Sequence, residues 1–484
     1  MAEPSMRILE NSSSTIAPIS SLPPELLSRI FYAVLDDQIE SLDDTYAPRE
    51  VLLSFPKYPE TLSHVCSRWR QITITSRGLW TRIDLVLYHS FNPGFLARAK
   101  VHVDRAGELP LDIHMVDLTL SRMYGPQPHT KPKFIAFDFL ASTRKPMNAL
   151  NLVSYRGLRD EHYNFVRYCI TNCAPRTLKQ LVIRDACGVD DRYGFIEFAR
   201  NPHDPRNLQI DLPEQSLENV WSSVTVLRLA GLYPCWTSRA YHQLVDLRLG
   251  PKFDSVQSPP ISEAQILEIL KASPGLRIFH LHLNPIDPLP DNASVSTFQL
   301  NELESVNLSF ELVNPSRILR FIIPGKKPMQ LSLFGPPTDV IEEFLRHSNV
   351  TRFRMVDWKT YPPANALCLC PNLQVLVLDV WGSLKEYSFQ TIQEQGGGGT
   401  LVAPIRIPAL CILYGQGMTL SDLQRLVENH HVQELTLWCT YPIVGDGHSS
   451  DSRIAYESEV SLLCPVVNYL GYGDRNPMDA WDLF

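Results

Sequence analysis

A short pattern, apolar-x-x-apolar-x-apolar, recurs along most of the chain and constrains its fold more than any single motif. It stands at Trp80-Ile83-Leu85, Leu178-Leu181-Ile183, Val224-Leu227-Leu229, Leu244-Leu247-Leu249, Leu276-Phe279-Leu281, Leu303-Val306-Leu308, Val350-Phe353-Met355, Leu373-Leu376-Leu378 and Val432-Leu435-Leu437. Weaker copies sit at Leu331-Leu333 and Leu410-Leu413. The alternation that ends each copy is the period of a strand with one face buried. Many copies are 20 to 32 residues apart, which leaves room for a helix between strands. Ser262-Glu263-Ala264-Gln265 is a capping box ahead of Ile266, Leu267, Ile269 and Leu270. Thr338-Asp339 precedes Val340, Ile341, Phe344 and Leu345, and Ser421-Asp422-Leu423 opens a third helix running to Val427. A unit of one strand and one helix cannot bury its apolar face alone, so neighbours must stack and leave one strand-lined face open.

The spacing is close to the period of roughly 20 to 29 residues in leucine-rich repeats. Residues 86–484 resemble an irregular leucine-rich-repeat solenoid, without the tidy asparagine position of regular families, and no WD or kelch pattern points to a propeller. In this register the residue between the last two apolar positions is Arg228, Arg248, His280, Asn307, Arg354, Val377 and Thr436 in successive copies. As an outward row on a concave face these are candidate contacts to a protein substrate, with Arg228, Arg248, His280 and Arg354 foremost; the plain alternative is a set of solvated strand positions. His280 and His282 share a face, but no third ligand has recognisable spacing, so exposed histidines and no metal are expected.

The N-terminal part follows a different rhythm. Residues 1–18, with Asn11-Ser12-Ser13-Ser14-Thr15, carry no apolar period and are expected to be a flexible tail. At Leu22-Pro23-Pro24-Glu25 a helix starts, because proline presets φ in the first turn and Glu25 suits the positive end of the helix dipole. Leu26, Leu27, Ile30, Phe31, Val34 and Leu35 share one wide face. A second helix is expected to carry Leu62, Val65, Cys66, Trp69 and Ile72 on a stripe, flanked by Arg68 and Arg70. Two short helices leave apolar surface for a partner. The stripe makes Leu27, Phe31 and Trp69 core positions, while Leu22 and Pro23 fall outside it as contact positions.

Three segments in order, Leu22-Pro23-Pro24-Glu25-Leu26-Leu27-x-x-Ile30-Phe31, Val65-Cys66-x-x-Trp69-Arg70-x-Ile72 and Leu79-Trp80, resemble an F-box over residues 19–85. An insertion at about 36–60 is similar to that of the larger-loop F-box proteins of mushroom-type fungi, as is the helix-to-strand unit from Leu96 to Met115. The resemblance implies that Leu22, Pro23, Leu26, Leu27, Ile30, Val65 and Trp69 form or support a contact with a Skp-type adaptor, and through it a cullin. It further implies a substrate-recognition adaptor of an SCF-type ubiquitin ligase; a scaffold acting outside the ligase is the alternative. The expected fold class is thus α/β, an all-α N-terminal unit followed by an α/β solenoid.

Composition trims the other classes. A formal net charge of -8, with no dense Lys/Arg stripe, offers nothing to a phosphate backbone, so no nucleic acid is expected. No apolar run approaches the eighteen or more residues of a membrane span, and Met1 to Glu10 lacks the blocks of a signal peptide, which points to an intracellular protein, cytoplasmic or nuclear. The 38 prolines favour short elements over long helices. The 10 cysteines show no zinc spacing, and Cys66, Cys169, Cys235 and Cys439 stand among apolar or aromatic residues, where thiolate is disfavoured. Gly396 to Gly399 is followed by Thr400-Leu401, not the Lys-Ser/Thr of a phosphate loop, and Gly415-Gln416-Gly417 lacks a third glycine. Neither HExxH nor GxSxG occurs, and His430-His431 has no matching carboxylate. A non-enzymatic binding protein without cofactor is expected.

Overall fold

The recurring pattern takes the form of one fourteen-stranded parallel sheet in the computed structural model of the chain. The structure describes residues 18–40, 59–87, 92–117, 135–154, 157–185, 194–199, 206–251, 259–290, 297–356, 367–379, 406–415, 420–440, 457–471, 474 and 476–481. Most of the expected N-terminal tail, residues 41–58 of the insertion, and Gly396 to Gly399 lie outside them. The strands are β1 (Arg82–Leu87), β2 (Leu111–Asp117), β3 (Met147–Ser154), β4 (Gln180–Asp185), β5 (Val226–Ala230), β6 (Asp246–Gly250) and β7 (Ile278–Leu281). They continue with β8 (Ser305–Leu308), β9 (Pro328–Phe334), β10 (Asn349–Val356), β11 (Val375–Asp379), β12 (Ala409–Leu413), β13 (Glu434–Trp438) and β14 (Val466–Leu470). Each lies between its predecessor and its successor in sequence. Parallel neighbours need a return connection of about a dozen residues or more, which the spacing of the pattern supplies.

Every copy of the pattern falls on one of these strands, with one adjustment at β12. Leu410 and Ile412 lie opposite Leu435 and Leu437, whereas Leu413 faces the other way, so the weaker copy there is Leu410-Ile412 and not Leu410-Leu413. Two further strands carry the pattern, Met147-x-x-Leu150-x-Leu152 on β3 and Cys464-x-x-Val467-x-Tyr469 at β14.

The helices that return the chain are α4 (Asn92–Ala106), α5 (Ile135–Thr143), α6 (Asp160–Thr171), α7 (Glu214–Trp221), α8 (Glu263–Lys271), α9 (Pro315–Leu319), α10 (Asp339–His347) and α11 (Leu420–His430), after α1 to α3 described below. The capping box of α8 forms: Gln265 N donates to Ser262 Oγ at 3.2 Å and Ser262 N to Gln265 Oε1 at 2.9 Å. Thr338 caps α10 by accepting from Ile341 N at 3.4 Å. Ile266, Ile269, Leu270, Ile341, Phe344 and Leu345 of these helices meet Leu227, Leu247, Phe279, Val306 and Phe353 of the strands in one apolar cluster that extends from Leu27 to Cys464.

At the N-terminal end α1 spans Pro24–Glu40, and the expected second helix is two pieces, α2 (Glu60–Ser63) and α3 (Ser67–Thr75). The break has a local cause. Cys66 is fully extended, with φ -158 and ψ 171, and its sulfur accepts from Trp69 N at 3.4 Å, which makes it the cap of α3 and not a member of the preceding turn.

A 3-10 turn, Arg77–Trp80, then brings Trp80 into full burial two residues ahead of β1. Its indole Nε1 donates to Thr73 O at 2.8 Å, its ring meets His102 of α4 edge-on at 5.1 Å, and the Arg105 guanidinium lies 4.1 Å from the ring centroid. Glu60 joins the same junction by accepting from Arg98 Nη2 at 3.1 Å and pairing with His102 Nε2 at 2.9 Å. Burial raises the Glu60 carboxyl, but the hydrogen bonds to His102 and Arg98 override it and hold it down at about 2. The helices before Trp80 and the strands after it therefore share one core. Trp80→Ala is expected to lower stability by about 3–5 kcal/mol, read as a shift of the midpoint of urea unfolding.

Candidate functional site

The wide apolar face of α1 divides in two. Leu27 and Phe31 are fully buried, whereas Leu26 and Ile30, one position earlier in each turn, are 45% and 38% exposed. Val65, in the bend between α2 and α3, is 56% exposed, and Pro23 is exposed as well. Leu22 and Trp69 are half-buried and pack on the core. The elements that present these side chains are tied together: Arg68 of α3 donates to Leu22 O, and the Phe31 and Trp69 rings lie 4.8 Å apart. Of the seven positions expected to serve the adaptor, Leu27 is thus a core residue, Leu22 and Trp69 are supports, and Pro23, Leu26, Ile30 and Val65 face solvent. Leu26, Ile30 and Val65 are thus large apolar side chains exposed on packed elements.

The second surface is the sheet face opposite the helices. Arg228, Arg248, His280, Asn307, Arg354, Val377 and Thr436 all lie on one lateral row, which starts at Asp84 on β1 and ends at Asn468 on β14. Their exposure differs from expectation. Arg248, His280, Asn307 and Val377 are buried, and Arg228, Arg354 and Thr436 are half-buried. The physical reason is lateral: row neighbours on adjacent strands stand about 4.8 Å apart, so long side chains close over one another.

Charges enclosed in this way need partners. Asp246 accepts from Arg228 Nε at 3.0 Å and from Arg248 Nε at 2.9 Å, Arg354 pairs with Asp379 at 2.5 Å, and His280 Nε2 meets Ser305 Oγ at 3.1 Å. Arg228 and Arg248 thus share the Asp246 carboxylate, Arg354 pairs with Asp379 and His280 meets a hydroxyl, so the four are tied into the sheet face and do not form a free basic row. His282, also expected in solvent, is buried and stacks on Phe310 at 6.0 Å between ring centroids. Burial depresses its imidazole to about 4, helped by nearby Arg354 and partly opposed by a hydrogen bond with Asn307.

Towards β11–β13 the same face turns apolar, where Val377, Cys411, Leu413 and Trp438 form a second cluster with Met478 and Trp481. Nothing in the repeat pattern announces it beyond Val377 standing in a polar row. Among the thiols, burial pushes Cys370 and Cys411 up to about 12 and raises Cys169 further. Cys66 departs from expectation, being exposed at its helix cap. A cleft of about 290 Å³ is lined by Glu197, Glu218, Trp221 and Cys235, but Glu218 already accepts from Arg239 N at 2.7 Å and Glu197 from Cys235 Sγ at 3.2 Å. Among the described residues no group of three His, Cys, Asp or Glu side chains is placed to hold a metal ion, and no helix is long and apolar enough to cross a membrane.

His282 predicts a pH dependence. The unfolded chain protonates it near 6.5 and the folded chain only near 4. Its contribution is therefore complete above pH 6.5 and is lost as pH falls towards 4, on the order of 3 kcal/mol. Thermal unfolding of His282→Asn should show a shallower fall between pH 6.5 and 4 than the parent chain.

No protein-family model matches this chain, and no curated protein matches it.

Proposed function

We propose that the chain is the substrate-recognition adaptor of an SCF-type ubiquitin ligase. In this reading residues 19–85 are an F-box that binds a Skp-type adaptor and through it a cullin, and residues 86–484 are an irregular leucine-rich-repeat solenoid that receives a protein substrate. The observation that carries it is the division of α1: Leu27 and Phe31 point into the core, while Leu26 and Ile30 stand in solvent at motif positions that the F-box resemblance assigns to the adaptor. Exposed apolar side chains at i and i+4 are the anchors with which a helix seats in a partner's groove. The sequential strand order supports the array, since each unit covers its neighbour's apolar face.

The chain's part in the reaction is positional. It holds a substrate at a set distance from the ligase and contributes no catalytic group. The junction of Trp80, Glu60, Arg98 and His102 suits that task, because it joins the helical unit to the first strands through buried contacts.

Leu26→Asp combined with Ile30→Asp, made in the full chain, should reduce copurification of a Skp-type adaptor at least tenfold. The melting temperature should fall by less than a core substitution would cost, since both side chains are part-exposed, at 45% and 38%. Undiminished copurification would overturn the reading. Recovery of the adaptor from the parent chain without any cullin would place the protein outside the ligase.

A further inference from the structure

The row on the open sheet face changes character along its length. On β5–β8 it carries Arg228, Arg248, His280 and Asn307, whereas on β11 and β12 it carries Val377 and Cys411, flanked on the same face by Val375, Leu413 and Trp438. Apolar side chains on a face that has no helix layer require another cover. That cover is the chain itself. After β14 the backbone turns at Gly471 and Asp474, where Gly471 N donates to Asp474 Oδ2 at 2.7 Å. It then runs back over the face as a 3-10 turn, Pro477–Trp481.

In a 3-10 turn residues three apart eclipse one another, so Met478 and Trp481 face the floor together, 7% and 4% exposed. Trp481 reaches as far as β9 and β10. Gln330 Nε2 donates to its carbonyl at 2.6 Å, and the Arg352 guanidinium lies 5.0 Å from its ring centroid. Gln330 and Arg352 are themselves neighbours in the sheet. The path from β14 to β9 crosses five strand spacings, about 24 Å, within reach of the residues between Leu470 and Trp481 at about 3.3 Å each.

The turn adds no strand to the sheet and spans five residues, too short to hold its shape alone. Its seat consists of two side chains on an apolar floor, one carbonyl on an amide donor and one indole beside a cation, contacts that a short segment of another chain can make equally well. We infer that this floor is a docking site for a segment of the protein substrate that presents a tryptophan three residues after an apolar residue. Pro477–Trp481 fills it in cis as a self-ligand that the substrate displaces. Val375, Val377, Leu413 and Trp438 take the apolar part, Arg352 selects the aromatic ring, and Gln330 selects the carbonyl that follows it. The identity of the displacing partner as a substrate rests on the adaptor reading; the docking chemistry does not.

The test uses a fluorescent peptide of residues 474–484 added in trans to the full chain and to full-chain Trp481→Ala. A tethered segment competes at a millimolar effective concentration, so the peptide should bind Trp481→Ala at least tenfold more tightly than the parent chain. Adding Gln330→Ala should weaken that binding, and a peptide whose own tryptophan is alanine should not bind. Equal affinity for parent and variant, or no binding to a folded variant, overturns the inference. A second measurement needs no substitution: saturating peptide should speed hydrogen exchange at residues 477–481 of the parent chain at least tenfold, and unchanged exchange also overturns it. Should Trp481→Ala fail to fold, the exchange result alone decides. Adaptor capture through Leu26 and Ile30 is scored separately, so either reading can fail while the other stands.

Discussion

Lateral registry between parallel strands is the constraint on which the rest of the molecule depends. Leu181, Leu227, Leu247, Phe279, Val306, Leu331, Phe353, Leu376, Leu410 and Leu435 stand side by side, each covered by the strands before and after it and by the helices beneath. A slip of one residue on any strand would turn its apolar set to the open face and its polar set into the core. The register that buries these residues therefore also aligns Arg228, Arg248 and His280 on the opposite face.

That second alignment has an energetic consequence of its own. A buried guanidinium is tolerable only with a carboxylate in reach, and Asp246 on β6 serves Arg248 on its own strand and Arg228 on the strand before. Asp379 does the same for Arg354 across the β10–β11 pair. These pairs bind neighbouring units together on the side away from the helices, so the polar half of the face works as structure. From Val377 onwards the face is apolar, and Met478 and Trp481 lie upon it.

The strands were legible because two residues of each copy share a face by local period alone, as Leu227 and Leu229 do. Two strands escaped because β3 begins its pattern with Met147 and the pattern at β14 uses Cys464 and Tyr469 among more typical aliphatics. The split between α2 and α3 was not legible, since the stripe from Leu62 to Ile72 continues through a bend set by one cysteine sulfur. Of the candidate site, the positions on α1 were readable as a wide face, but which half of it meets the core is decided by Trp69 and Trp80, far along the chain. The burial of Arg248 and His280 was out of reach for a related reason: their covers belong to adjacent units. The seat of Trp481 was further still, because its partner Gln330 lies 151 residues away.

Sequential strand order also sets a timetable. Each strand pairs with the one before it in sequence, so closure distances stay short along the whole sheet. β9–β13 precede Trp481 in the chain, so during synthesis Val377, Leu413 and Trp438 are made before the segment that covers them. A nascent chain therefore carries this apolar patch uncovered until Met478 and Trp481 have been added.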